Sequence, residues 1–159
     1  MHQEMLYPTD KKELYPLILE QLQALTQGIP YTVTNLSNAS ALLNEALREI
    51  NWVGFYLMED DGLILGPFQG KPACTQIPVG RGVCGTAVDL DTVMLVPDVH
   101  EFPGHIACDS ASRSEIVIPL HKNGKVAAVL DIDSPIKNRF TQEDKDGLYL
   151  LIPVLERLL

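Results

Sequence analysis

Three cysteines, Cys74, Cys84 and Cys108, share the stretch from Asn51 to Ser134 with Glu115, Asp131 and Asp133. Cys108 belongs to Phe102-Pro103-Gly104-His105-Ile106-Ala107-Cys108-Asp109, which its proline and glycine mark as a loop. A thiol on a loop near a set of carboxylates points to redox chemistry on a small cationic or zwitterionic molecule. The sulfur can take up oxygen and pass it on, and the acids can hold positive charge or supply protons. An odd number of cysteines fits a reactive or metal-binding set better than a fixed disulfide framework.

Composition narrows the partners. The 159 residues make one domain by size, and 46% hydrophobic residues suffice for a full core. A net charge of −9 without a Lys/Arg cluster argues against nucleic acid or an anionic membrane. No apolar run reaches the roughly 18 residues of a membrane span. Met1-His2-Gln3-Glu4 lacks the basic-then-apolar order of a leader, so the expected location is cytoplasmic.

The elements around the cysteines follow from periodicity. Asp10 and Glu13 form a capping box ahead of Leu14, Leu17, Ile18, Leu22 and Leu25, a helix over about 10–27 that Gly28 ends and that Pro16 delays or bends. A second helix is expected over 36–50, with Leu36, Leu42, Leu43, Ala46, Leu47 and Ile50 on one face. The period then changes to two. Trp52, Gly54 and Tyr56 share one strand face, Val53, Phe55 and Leu57 the other, and Glu59-Asp60-Asp61-Gly62 turns the chain into Leu63–Gly66. A loop over 70–80 carries Cys74, a short helix from Gly82 to Val88 carries Cys84, and Val93–Val96 reads as a strand. The 98–114 loop carries Cys108. Strands 115–121 and 125–133 follow, then one helix over 141–159 with Leu148, Leu151, Leu155 and Leu158 inward.

The register of the last hairpin decides where the acids point. A three-residue Lys122-Asn123-Gly124 loop with Gly124 left-handed would pair His121 with Lys125 and set Glu115 opposite Asp131. Glu115, Val117, Asp131 and Asp133 then share one face, while Ile116, Ile118, Leu120, Val126, Ala128 and Leu130 form an apolar other. A two-residue Asn123-Gly124 turn would slip the pairing by one and put Glu115 in the apolar face at a burial cost. Three carboxylates thus converge at one strand end. That is costly unless a cation binds or an acid keeps its proton.

The element order resembles a GAF domain: α+β, a central antiparallel sheet with N- and C-terminal helices on one face and the site under loops on the other. Asn51-Trp52-Val53-Gly54-Phe55-Tyr56, Gly80-Arg81-Gly82-Val83-Cys84-Gly85, Pro97-Asp98-Val99-His100, Ala107-Cys108-Asp109, Ser112-Arg113-Ser114-Glu115-Ile116 and Leu130-Asp131-Ile132-Asp133-Ser134 are similar to the motifs of the free methionine-(R)-sulfoxide reductases. The resemblance implies that Cys108 is the catalytic thiol and that thioredoxin or a similar dithiol restores the enzyme without a bound cofactor or metal; Cys74, on a loop that can move, is the first choice to resolve the sulfenic acid, and Cys84 the second, as relay or partner. It implies that Glu115 or Asp133 assists loss of the sulfoxide oxygen and that Asp131 joins them around the substrate ammonium. Trp52 and Tyr56 would wall the S-methyl group. Ile106 and Ala107 of the Cys108 loop would lie against the substrate. Domains of this type often pair through their terminal helices, so a homodimer is expected as a possible assembly. Cys84 in a small-residue helix also suits a core thiol, and His100 and His105, tempting as a base for Cys108, read rather as ordinary loop histidines.

Two other classes of function remain open on sequence alone. A GAF domain without activity would sense a small molecule, yet no effector region is evident in these residues. A zinc site from Cys74, Cys84, Cys108 and a histidine lacks any close ligand pair.

Overall fold

The structure, a computed structural model, describes residues 6–159; the reading of Met1–Glu4 falls outside them. It begins with α1 (Lys11–Thr26) and α2 (Thr32–Ala46), followed by β1 (Trp52–Glu59), β2 (Gly62–Gly70) and β3 (Gln76–Pro78). After α3 (Gly82–Leu90) come β4 (Met94–Val96), β5 (Ser114–Lys122) and β6 (Lys125–Ser134), then α4 (Gln142–Tyr149) and α5 (Ile152–Arg157). The strands form one antiparallel sheet in the order β3-β2-β1-β6-β5-β4.

Period-two alternation gives the sheet two faces with different duties. Val53, Phe55, Ile116, Ile118, Leu130 and Ile132 pack against Leu14, Ile18, Leu36 and Leu43 of the N-terminal helices and Leu148 and Leu155 of the C-terminal ones. Full burial of each such side chain contributes about 1.5–3 kcal/mol. Trp52, Tyr56, Val117 and Val129 face the other way, against Val83, Cys84 and Ala87 of α3. The α+β arrangement read from the sequence is the one observed, with the terminal helices on one face and the second face left for a site.

Several local expectations change. Asp10 does cap α1, accepting from the Lys12 N–H at 2.9 Å, and Pro16 lies inside a helix whose start it does not delay. The second helix begins at Thr32, four residues earlier than expected; its first turn, Thr32-Val33-Thr34-Asn35, carries a single apolar residue, the exposed Val33, and so no apolar period. Asn35 in that turn is buried, and its Nδ2 donates to the Ile29 carbonyl at 2.8 Å. The helix also ends four residues early, with Leu47 extended and Glu49 at φ 57°; Leu47 and Ile50 still reach the core from irregular chain. The expected single helix over 141–159 is two. Pro153 lacks the N–H that would bond to the Tyr149 carbonyl, so the chain breaks at Leu150-Leu151 and restarts. The 70–80 segment contains β3, three residues paired with β2.

The hairpin register is corrected in an instructive way. Asn123 and Gly124 both have positive φ (54° and 77°), the signature of a two-residue turn, and Lys122 pairs with Lys125. The slip this would cause is undone by a bulge: His121 faces Val126 but Leu120 faces Ala128, leaving Ala127 as the extra residue. Parity is restored. Glu115 therefore sits opposite Asp133, not Asp131, while Val117 faces Asp131, and all four stay on the face first assigned to them.

Candidate active site

The polar face of the sheet, α3 and the 98–114 loop line one cleft. From β1 come Trp52 and Tyr56, four residues apart and so on one side; their rings stack at 5.8 Å, and Phe68 stacks on Trp52 at 5.2 Å. Trp52 Nε1 donates to the Lys71 carbonyl at 3.2 Å and the Tyr56 hydroxyl to the Cys74 carbonyl at 3.0 Å. The aromatic wall thus also tethers the segment that carries Cys74.

Cys84 reaches the cleft floor because α3 lies close to the chain before it. A Cβ on Gly85 would collide with the Pro78 carbonyl, and Gly80 N–H bonds the Gly85 carbonyl at 2.9 Å. The Cys108 loop is held from β1. Asn51 Nδ2 donates to Asp109 Oδ2 at 3.0 Å and Ser112 Oγ at 3.1 Å, and the Ala111 N–H bonds Asp109 Oδ1 at 2.8 Å. Cys108 is joined in a disulfide to Cys74, 34 residues away, with their Cα atoms 5.5 Å apart. Cys84 remains a buried free thiol.

Of the residues singled out in the sequence, Cys84, Cys108, Ile106, Trp52 and Tyr56 line the cleft together with Glu115, Asp131 and Asp133. Cys74 lies behind the lining, packed with the aromatic cluster and reaching the cleft only through its bond to Cys108. Ala107 does not line it. His105 does, whereas His100 is exposed and bonds Asp98 through Nδ1 at 3.0 Å. Arg81, Asp109 and Ser112 also line the cleft and had been given no role. They stand inside the quoted motifs, which was the available signal. The disulfide takes two of the sulfurs from the zinc reading that used Cys74, Cys84 and Cys108.

Glu115 and Asp131 are 6% and 5% exposed, and burial is the main cause of their chemistry. It pushes the Glu115 carboxyl well above the usual range, helped by the charges of Asp131 and Asp133. Asp133 is pushed well up by burial, then by Asp131 and Asp109. Asp131 rises by burial, opposed by Glu115 and Cys84 beside it. Burial raises the Cys84 thiol too, followed by the charges of Asp131 and Glu115; its Sγ donates to Glu115 Oε1 at 3.9 Å. Asp131 Oδ1 is buried with no hydrogen-bond partner. Burial therefore favours the protonated acids in the cleft, which also presents an acceptor lacking a donor.

These shifts have a stability consequence. Folded-state values above the unfolded ones mean that the cluster's contribution is fully present below about pH 4 and is lost as pH rises through the raised values. Glu115→Gln is expected to raise the melting temperature of the ligand-free protein, more at about pH 8 than at about pH 5, by roughly 2–4 °C for each kcal/mol relieved. Thermal melts across that range check this. A variant less stable than the parent at every pH would show that the buried carboxyl is not a burden.

Residues 13–151 match the GAF domain family. The chain belongs to that family. A curated relative of this GAF domain, the free methionine-R-sulfoxide reductase of Escherichia coli, is 55% identical over 150 residues, covering 94% of this chain and 91% of the relative. The free methionine-R-sulfoxide reductase of Neisseria meningitidis, solved in complex with its substrate, superposes with a TM-score of 0.93 at 44% identity, over 99% of this chain and 95% of the other. The fRMsr of Staphylococcus aureus, also solved with its substrate, gives 0.88 at 50% identity, over 98% and 99%. This GAF domain groups with the free methionine-(R)-sulfoxide reductases, as its motifs indicated.

Proposed function

We propose that this GAF domain reduces free methionine (R)-sulfoxide to methionine with Cys108 as the reacting thiol. The observation that carries the reading is Cys108 at the cleft, bonded to Cys74, in a lining shared with Glu115, Asp131 and Asp133. In the reduced protein the oxygen passes from the substrate sulfur to Cys108, which becomes a sulfenic acid as methionine leaves. The Cys74 thiol then attacks that sulfur, closing the disulfide and releasing water. A thioredoxin-type dithiol in the cytoplasm takes up the oxidation and returns both thiols, so no bound cofactor or metal is required.

Oxygen leaves sulfur only as it gains a proton or strong hydrogen bonds. Glu115 and Asp133, whose carboxyl groups burial raises well above the usual range, fit that duty. The unpartnered Oδ1 of Asp131 fits the substrate ammonium, which brings three donors to it and its neighbours. The substrate carboxylate is assigned to backbone N–H groups of the Cys108 loop, and the S-methyl group to Trp52 and Tyr56.

The test is substrate form. An acylated nitrogen would leave buried carboxyl groups unpaired at a cost of about 1–3 kcal/mol each, more if charged. Free methionine sulfoxide is expected to be reduced, and N-acetylated or peptide-bound sulfoxide to be inert. Holding both ends of the molecule also fixes the face of the pyramidal sulfur shown to Cys108, so one epimer reacts. Consumption of each epimer, free and N-acetylated, with a dithiol reductant decides it; comparable rates on free and acetylated substrate would remove the ammonium role of Asp131.

A further inference from the structure

The buried thiol Cys84 stands apart from the disulfide and beside two acids. Its sulfur and one oxygen each from Glu115 and Asp131 lie within 4.8 Å of one another, and all three residues are buried. The Cys84 Sγ to Glu115 Oε1 separation is 3.9 Å. A tetrahedral zinc ion, at about 2.3 Å from sulfur and about 2.0 Å from oxygen, spaces such ligands by roughly 3.5 Å, so small side-chain adjustments close the site. A separate observation points the same way: Asp131 Oδ1, in a residue 95% buried, has no hydrogen-bond partner. A buried acceptor of this kind calls for a donor or a cation.

We infer that Cys84, Glu115 and Asp131 form a binding site for a thiophilic divalent cation of the zinc class, which occupies the substrate's ammonium position. This ligand set shares only Cys84 with the three-cysteine zinc reading and leaves the Cys74–Cys108 bond intact. Thiolate and carboxylate together suit zinc or cadmium and disfavour magnesium and calcium, which take oxygen alone. The cation replaces the Cys84 proton and faces two carboxylates, so three negative ligands meet one doubly positive ion. Half-buried Asp133 or water from the open side of the cleft completes four-coordination. Binding releases protons, and affinity rises with pH. The site stands on its geometry; only its consequence, competition between the ion and methionine sulfoxide, rests on the reductase reading.

The disulfide makes a selective test available. With Cys74 and Cys108 bonded, Cys84 is the single thiol left in the chain. Titrating the oxidised protein with cadmium alone is expected to produce a near-ultraviolet thiolate-to-cadmium charge-transfer band that saturates at one ion per chain. Cys84→Ser is expected to lose the band, and Asp131→Asn, which preserves side-chain volume, to keep it with affinity about tenfold or more weaker. Melting curves confirm that each variant is folded. Absence of the band in the parent protein, its persistence in Cys84→Ser, or unchanged affinity in Asp131→Asn would each overturn the site. No turnover is measured, so a failed reductase reading leaves this result intact.

Discussion

Cys108→Ser is expected to release no methionine from the sulfoxide, even in a single turnover, while Cys74→Ser releases about one equivalent per chain and then stops. The reason lies in the order of bond changes: oxygen transfer needs the Cys108 sulfur, whereas Cys74 acts only afterwards, on the sulfenic acid. The disulfide between the two supports that division, since it is the product the second step would leave. The pre-reduced proteins are mixed with excess free sulfoxide and methionine is quantified against chain concentration. Equal release from both variants would show that Cys108 is not the nucleophile. Cys84→Ser is expected to continue cycling, because its sulfur is bonded to neither partner in the oxidised protein.

Glu115→Gln and Asp133→Asn are expected to lower kcat by about 10²–10⁴-fold, the span of a positioned general acid, whereas Asp131→Asn mainly raises KM. The two effects separate because one group supplies a proton only as the S–O bond breaks, and the other holds the ammonium in ground and transition states alike. Acid assistance also sets the sign of the pH dependence. The acid must be protonated, so turnover falls as pH rises through the raised carboxyl value, and the variant lacking that carboxyl loses this alkaline limb. Steady-state kinetics over a range of pH checks both statements. Unchanged turnover in both Glu115→Gln and Asp133→Asn would transfer the role to His105, the next candidate lining the cleft. Burial lowers the His105 pKa, with His100 nearby adding to the effect, so it would be the poorer acid at neutral pH.

The glutamine variant is also expected to be the more heat-stable protein, and the two expectations share one cause. Burial beside Asp131 and Asp133 raises the Glu115 carboxyl, which costs the free fold stability and favours the proton donor that the proposed function requires. Sites of this kind exchange stability for chemistry.

Much of this could be read from the residues alone, for identifiable reasons. The alternation through Trp52 to Leu57 and Ile116 to Leu120 has period two, and burial on one face leaves no choice of side; hence the ring pair, the apolar helix-bearing face and the shared side of Glu115, Asp131 and Asp133 were legible. The motifs around Cys84, Cys108 and Asp131 marked the family. Tertiary structure decided what periodicity cannot encode. A bulge at Ala127 moved the partner of Glu115 from Asp131 to Asp133 while keeping its face, because parity is protected by burial and register is not. The choice between Cys74 and Cys84 as the partner of Cys108 depended on through-space distance: the Tyr56 hydroxyl tethers the Cys74 backbone, while α3 seats Cys84 among the acids. Asn51, just before β1, holds Asp109 and Ser112 of the Cys108 loop from about 60 residues away in the chain, a span across which local sequence preference carries no information.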